Sequence, residues 1–439
     1  MTLLGGNSSS VGRSSKRSGL VTVLDIGSTK ITCVIARLTP RSESAHLPGR
    51  THKVEVLGIG YQRSRGVKSG VISELDTAEQ AIRQAVDAAE SMAGMTVESI
   101  IVNVSAGRLK GSIVNASINL GNHGVSDNDI ARVMAAGAKR AGAVERRHLH
   151  VLPVSYTLDA ETGIRDPRGM EGAQLGIDMH VLTADAAPLR NLELCINRAH
   201  LSVEAMVATP YASGLAVLVD DEAELGAACI DFGGGTTTIG VFGEGKFMHA
   251  DAVAIGGNHV TMDLARGLSV RLDDAEALKA RFGTVLTSAS DENEMIAVHS
   301  INDDREEAMR QIPRAMMTRI IKARVEETLE LVRDRLNQSG FANVVGKRVV
   351  LTGGASQLQG LPEAARRILG RNVRVGRPLG VAGLPEIAKG PAFAATIGLM
   401  IYPQIAEIEQ ASSGASTGWS MTGTGGRFAR VGQWLRESF

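Results

Sequence analysis

One short pattern occurs twice in this chain, and the repetition constrains the fold more than anything else in it. Residues 25–30 read DIGSTK and residues 231–238 read DFGGGTTT. Each follows an apolar run (LVTVL and GAACI) and leads into a second one. An apolar strand, an Asp, a Gly-containing polar turn and another apolar strand predict a β-hairpin. Two such hairpins, begun by Asp25 and Asp231, predict an internally duplicated α/β fold with two facing halves.

The turns carry the chemistry. Gly27 permits positive φ and lacks a Cβ, so the backbone there can approach a ligand closely. The N–H groups of Gly27, Ser28, Thr29 and Lys30 would form a concave nest for phosphate oxygens, to which Thr29 adds a hydroxyl and Lys30 a point charge. Asp25 would face the same anion, which makes sense only with a cation or water between them. Mg²⁺ on phosphates keeps most of its waters and takes one or two carboxylates. The second turn repeats the scheme with Asp231, Gly233, Gly234, Gly235 and Thr236. Tight hairpins favour Gly and Asp in any case, but three glycines in a row weaken a strand pair and need a further reason. A third turn, LTGGASQLQG, places Gly353 and Gly354 after a strand, where bare backbone can lie against a base or sugar. Neither a Walker A run nor a G-x-G-x-x-G opening a helix is present, so P-loop and Rossmann readings have no support.

Lys+Arg and Asp+Glu are 47 each, so no net field points to nucleic acid as a partner. Cys33, Cys195 and Cys229 are scattered, which predicts structural thiols rather than disulfides or a metal site. No uncharged apolar run reaches the roughly 18–20 residues needed to span a bilayer. Residues 1–18 have no apolar core segment and are expected to be a disordered leader, not a signal peptide. The spacing predicts a helix over Thr77–Met92, a strand over 99–107 and a helix over 127–142. A helix, a strand and a second helix follow over 190–219. Residues 39–53 are expected to form a polar loop, and TSASDENEMIAVHSINDDREEA (287–308) an exposed insertion.

The three turns, in this order and at these separations, resemble the phosphate and adenosine motifs of the actin/Hsp70/sugar-kinase superfamily. Within it, phrases such as AIGGNHVTMDLARGL and DAEALKARFG resemble the FtsA family of bacterial cell-division proteins over most of residues 20–402. The resemblance implies an actin-like, duplicated RNase H-like, two-lobed ATPase fold with ATP and Mg²⁺ as cofactors. Lobe 1 would take 19–107 and 183–218, with an inserted self-association subdomain at 108–182. Lobe 2 would take 219–256 and 341–390, with a helix-rich subdomain at 257–340 that binds the C-terminal peptide of FtsZ. A connecting helix at 391–404 and a flexible linker at 405–426 would complete it. The resemblance also maps a ribose- and adenine-contacting Glu-x-x-Lys helix onto Glu276 and Lys279. It implies a homopolymer that tethers FtsZ to the cytoplasmic face of the inner membrane at the septum, with other division proteins as further partners. No residue stands out as a catalytic base, so binding of ATP is expected and efficient hydrolysis is not. A small-substrate kinase of the same fold and an actin-like pilus-assembly protein are the alternatives.

The last segment, 427–439, follows the charge-free stretch ASSGASTGWSMTGTGG. At 100° per residue, Phe428, Val431, Trp434, Leu435 and Phe439 fall within an arc of about 140°, with Arg430, Gln433, Arg436 and Glu437 opposite. That predicts an amphipathic helix lying in a membrane interface, on a tether whose random-coil reach is about 22 Å.

Overall fold

The computed structural model describes residues 19–41, 50–105, 108–121, 123–141, 145–299 and 309–412. The predicted leader, most of the 39–53 segment and the terminal amphipathic helix lie outside the described residues.

Two sheets repeat one another. In the first lobe the strand order is His52–Arg63, Lys30–Pro40, Gly19–Ile26, Ser99–Val104, Ser202–Ala208. In the second it is Lys246–Val253, Thr237–Gly243, Ala227–Phe232, Arg348–Thr352, Asn372–Val375. In each, the first three strands are antiparallel and the remaining pairs parallel. The central strands are near-continuous apolar runs because helices or further sheet cover both faces. Val23, Leu24, Ala228 and Ile230 are completely buried. Registers also match: Asp25 lies opposite Thr32, and Asp231 opposite Thr238. The first sheet gains one extra edge strand, Val381–Ala382, which returns from the second lobe to pair with Val54 and Glu55.

Between Val104 and Asp185 the chain builds a separate four-stranded antiparallel sheet covered by the helix Asp127–Arg140. That helix begins with a capping box: Ser126 accepts from the Asp129 N–H, and Asp129 accepts from the Ser126 N–H. Its apolar face (Ile130, Val133, Met134) closes a small core of its own with Tyr156, Leu175, Ile177 and Met179. Helices Gly257–Leu268, Leu272–Phe282 and Arg314–Gln338 pack on the second lobe.

Two helices join the lobes, Thr209–Val217 and Ala394–Ser412. They touch backbone to backbone: a Cβ on Gly398 would lie 1.7 Å from the Ala212 carbonyl oxygen. The second helix runs to Ser412, so the start of the predicted linker is helical, as the helix-forming run QIAEIEQ allows.

One other reading needs correction. The segment expected to be an exposed insertion contains a strand, Met295–His299, paired with Met309–Pro313. Its alternation is real: Ile296, Val298 and Ile312 are buried in the second lobe's core while Met295, Ala297 and His299 face out. The strand Lys246–Val253 follows Thr237–Gly243 and pairs with it antiparallel. Glu244 and Gly245, both at positive φ (52° and 72°), turn the chain there, the geometry a two-residue hairpin turn demands.

Candidate nucleotide site between the lobes

Both predicted hairpins form, and they close in the same way. Gly27 N–H donates to the Lys30 carbonyl at 3.0 Å, and Gly233 N–H to the Thr236 carbonyl at 3.0 Å. Gly27 and Gly233 therefore offer no free amide; the tip amides of Ser28–Thr29 and Gly234–Gly235 are the candidate phosphate donors. The expected positive φ at Gly27 does not occur. A Cβ there would sit 3.0 Å from the Lys30 carbonyl oxygen, a tight contact that a small shift could relieve.

The hairpins meet tip to tip. A Cβ on Gly234 would lie 2.0 Å from Thr29 Oγ1, and one on Gly235 would lie 2.3 Å from Ser28 Oγ. Asn258, second residue of its helix, bridges them: its N–H donates to the Gly234 carbonyl at 2.7 Å and its Oδ1 accepts from Thr29 Oγ1 at 3.3 Å. A small hairpin packs on the same junction, with Gly70 N–H donating to Ser28 Oγ at 3.0 Å. Neither Asn258 nor Gly70 was singled out from the sequence.

Asp25 and Asp231 sit at the base of the junction, both buried. Burial pushes both carboxyls up, Asp231 from 3.8 to about 6. A hydroxyl bond opposes the rise at each, Thr396 to Asp25 and Ser213 to Asp231, while Asp25 pushes Asp231 further up. Lys30 is drawn down to about 8 by its own burial, against the pull of the two acids. Its Nζ stands 3.0 Å above the centre of the Phe393 ring, a cation–π contact.

The third turn joins them. Gly353 has φ +84°, and a Cβ there would lie 2.3 Å from Asp231 Oδ1 and 2.6 Å from the Phe232 carbonyl oxygen. Gly354 begins the short 3₁₀ turn that follows. Glu276 and Lys279 arrive from the helix Leu272–Phe282: Lys279 Nζ pairs with Glu276 at 2.6 Å and donates to Thr261 Oγ1 at 2.8 Å and the Gly257 carbonyl at 3.1 Å. Gly257 in turn faces Ala355 of the third turn and bonds the Gly233 carbonyl. All the predicted residues outside the terminal helix thus converge on one place. Asp25 and Asp231 are two buried carboxylates, the number and type of protein ligand that a largely hydrated cation takes. The thiols take no part, since Cys33, Cys195 and Cys229 are free and buried, with pKa values pushed up, Cys33 to about 12.

Comparison with known proteins agrees with this geometry. The family model described as Cell division protein FtsA matches residues 228–398, and the one described as SHS2 domain inserted in FTSA matches residues 106–183, the separate four-stranded unit. The Cell division protein FtsA of Rhizobium meliloti (strain 1021) is 62% identical over 425 residues, covering 97% of this chain and 96% of the relative. That of Pseudomonas aeruginosa is 33% identical over 389 residues, covering 88% and 90%. Among solved structures, the PilM-PilN type IV pilus biogenesis complex is similar with a TM-score of 0.60 at 15% identity, over 88% of this chain and 98% of that one. MreB5 of Spiroplasma citri bound to ADP follows at 0.51 and 12%, over 91% and 99%. At such identities these structures speak to the fold alone. The duplicated hairpins, the inserted unit and the long, high-identity matches lead to one assignment: this chain belongs to the FtsA family of bacterial cell-division proteins and has an actin-like ATPase fold.

Proposed function

We propose that the cleft binds ATP with Mg²⁺, and that the nucleotide-bound chain polymerises on the inner membrane and tethers FtsZ to it at the septum. The observation that carries the nucleotide reading is the meeting of two equivalent hairpin tips above two buried carboxylates. The amides of Ser28–Thr29 and Gly234–Gly235 would hold phosphate oxygens, and Lys30 would supply positive charge. Asp25 and Asp231 would hold the cation through water, which neutralises phosphate charge. Gly353, Gly354, Glu276 and Lys279 line the side where the nucleoside would lie. The ADP of the MreB5 structure supports a nucleotide in a fold of this kind. ATP binding with at most weak turnover is the activity this reading carries.

Membrane attachment rests on the sequence of 427–439, and among the described residues no helix is long and apolar enough to cross a bilayer. One short interfacial helix is a marginal, reversible anchor. Many on one polymer bind at high effective concentration and hold firmly, so assembly and attachment reinforce each other. FtsZ would dock on the helix-rich subdomain 257–340, and the inserted unit would take part in self-association.

Vesicle co-sedimentation in ATP, with FtsZ added, tests the tether. Full-length protein should carry FtsZ to lipid, while Trp434→Glu should leave both in solution and ATP binding intact. Lipid binding that survives Trp434→Glu, or FtsZ that never follows, would remove the tethering role and reopen the kinase and pilus-assembly alternatives.

A further inference from the structure

The two acids of the cleft are held by residues from neither hairpin. Asp231 Oδ2 accepts a hydrogen bond from Ser213 Oγ, and Asp25 Oδ2 accepts one from Thr396 Oγ1 at 2.6 Å. Both hydroxyl-bearing residues are completely buried. Ser213 belongs to the helix Thr209–Val217, which leaves the first lobe and packs on strands Ala227–Phe232 and Thr237–Gly243 of the second. Thr396 belongs to the helix Ala394–Ser412, which leaves the second lobe and packs on Gly19–Ile26 of the first. Each acid is therefore bonded by the helix that arrives from the opposite lobe. The helices cross at Ala212 and Gly398, so Ser213 and Thr396 flank the crossing point.

A buried helical hydroxyl ordinarily donates to the carbonyl four residues back, as Thr328 does to Arg324 in this chain. Ser213 and Thr396 donate instead to carboxylates 18 and 371 positions away, which occupy matching registers in the two halves of the duplicated fold. Each bond occupies one carboxylate oxygen and fixes the direction of the other. For Asp231 that other oxygen, Oδ1, faces the third turn beside Gly353.

We infer that Ser213 and Thr396 are a matched pair of positioning residues that aim the two acids at the cation and tie their placement to the crossing of the inter-lobe helices. The inference rests on reading the cleft as a Mg²⁺–nucleotide site. It makes the metal-dependent part of nucleotide affinity, and not the metal-free part, depend on two hydroxyls that never touch the ligand.

Full-length protein titrated with a fluorescent ATP analogue, in Mg²⁺ and in EDTA, separates these parts. Thr396→Val keeps the shape and removes the hydroxyl, while Thr396→Ser keeps the hydroxyl. Ser213→Ala and Ser213→Cys remove or weaken the donor. A hydrogen bond to a charged group supports an expected loss of about tenfold in Mg²⁺ for Thr396→Val, Ser213→Ala and Ser213→Cys. In EDTA their affinities should stay within about twofold of the parent, by the same reasoning. Thr396→Ser should behave as the parent in both. Thermal melts identify any variant that fails to fold, and the Thr396→Val and Thr396→Ser contrast then decides. Equal losses with and without metal, or an undiminished Mg²⁺ effect in Thr396→Val, would overturn the inference. Failure of the parent protein to bind the analogue at all would instead overturn the reading of the cleft, and this inference with it.

Discussion

The first hairpin has one glycine and a tip made of side chains; the second has three glycines and a tip made of bare backbone. The difference is complementarity. Thr29 Oγ1 and Ser28 Oγ occupy the space that side chains at positions 234 and 235 would need. A duplicated fold starts from two equivalent turns, but two turns that meet face to face cannot both carry side chains at the tip. One half therefore provides hydroxyls and a Lys, the other provides room and amides. The same asymmetry recurs in the third turn, where Gly353 yields space to the Asp231 carboxylate.

The sharpest way to break this arrangement is at the turn with no freedom. Gly353→Ala meets the backbone oxygen of Phe232 and must also hold φ +84°; strain and overpacking together should cost about 3 kcal/mol or more. A large drop in melting temperature with loss of nucleotide binding is expected, and parent-like behaviour in both would show the turn to be pliable.

The hairpin comparison itself is sharpened by a pair of alanines. Gly234→Ala should weaken ATP binding by tenfold or more, because the new methyl displaces Thr29. Gly27→Ala, which meets only the Lys30 carbonyl at 3.0 Å, should cost less than about 1 kcal/mol in stability. Adding Thr29→Gly to Gly234→Ala should recover part of the affinity, since the colliding side chain is gone. Equal effects of the two alanines would mean the tips are not complementary.

A smaller effect follows from the raised Asp231 pKa. Because the folded chain holds that proton more tightly than the unfolded chain does, the group's contribution is fully present below about pH 4 and is lost as pH rises through about 6. Nucleotide-free Asp231→Asn should therefore lose less stability than the parent over that interval, as read by melting temperature against pH.

The sequence made the duplication legible because Asp, Gly and the flanking apolar runs are local signals that survive without knowledge of the fold. The glycines, acids and Lys30 could be named for the same reason. What remained hidden depends on distant partners. Ser213 and Thr396 sit in small-residue helices, where a hydroxyl looks like packing. Asn258 looks like an ordinary first-turn helix residue, and Phe393 gives no sign that a lysine more than three hundred positions earlier rests on its ring. The pairing of Met295–His299 with Met309–Pro313 was missed because both strands are short and the surrounding sequence is charged, so alternation was outweighed by polarity. Composition averages over a segment; a buried face of three residues is enough to fix a strand.

The central claim is that the two hairpin tips form one phosphate site, and hydrogen–deuterium exchange of the full-length protein with and without Mg²⁺-ATP tests it most directly. The account predicts that amides of residues 28–29 and 234–235 gain protection together at the same nucleotide concentration. Protection at one tip alone, or only elsewhere in the chain, would contradict it.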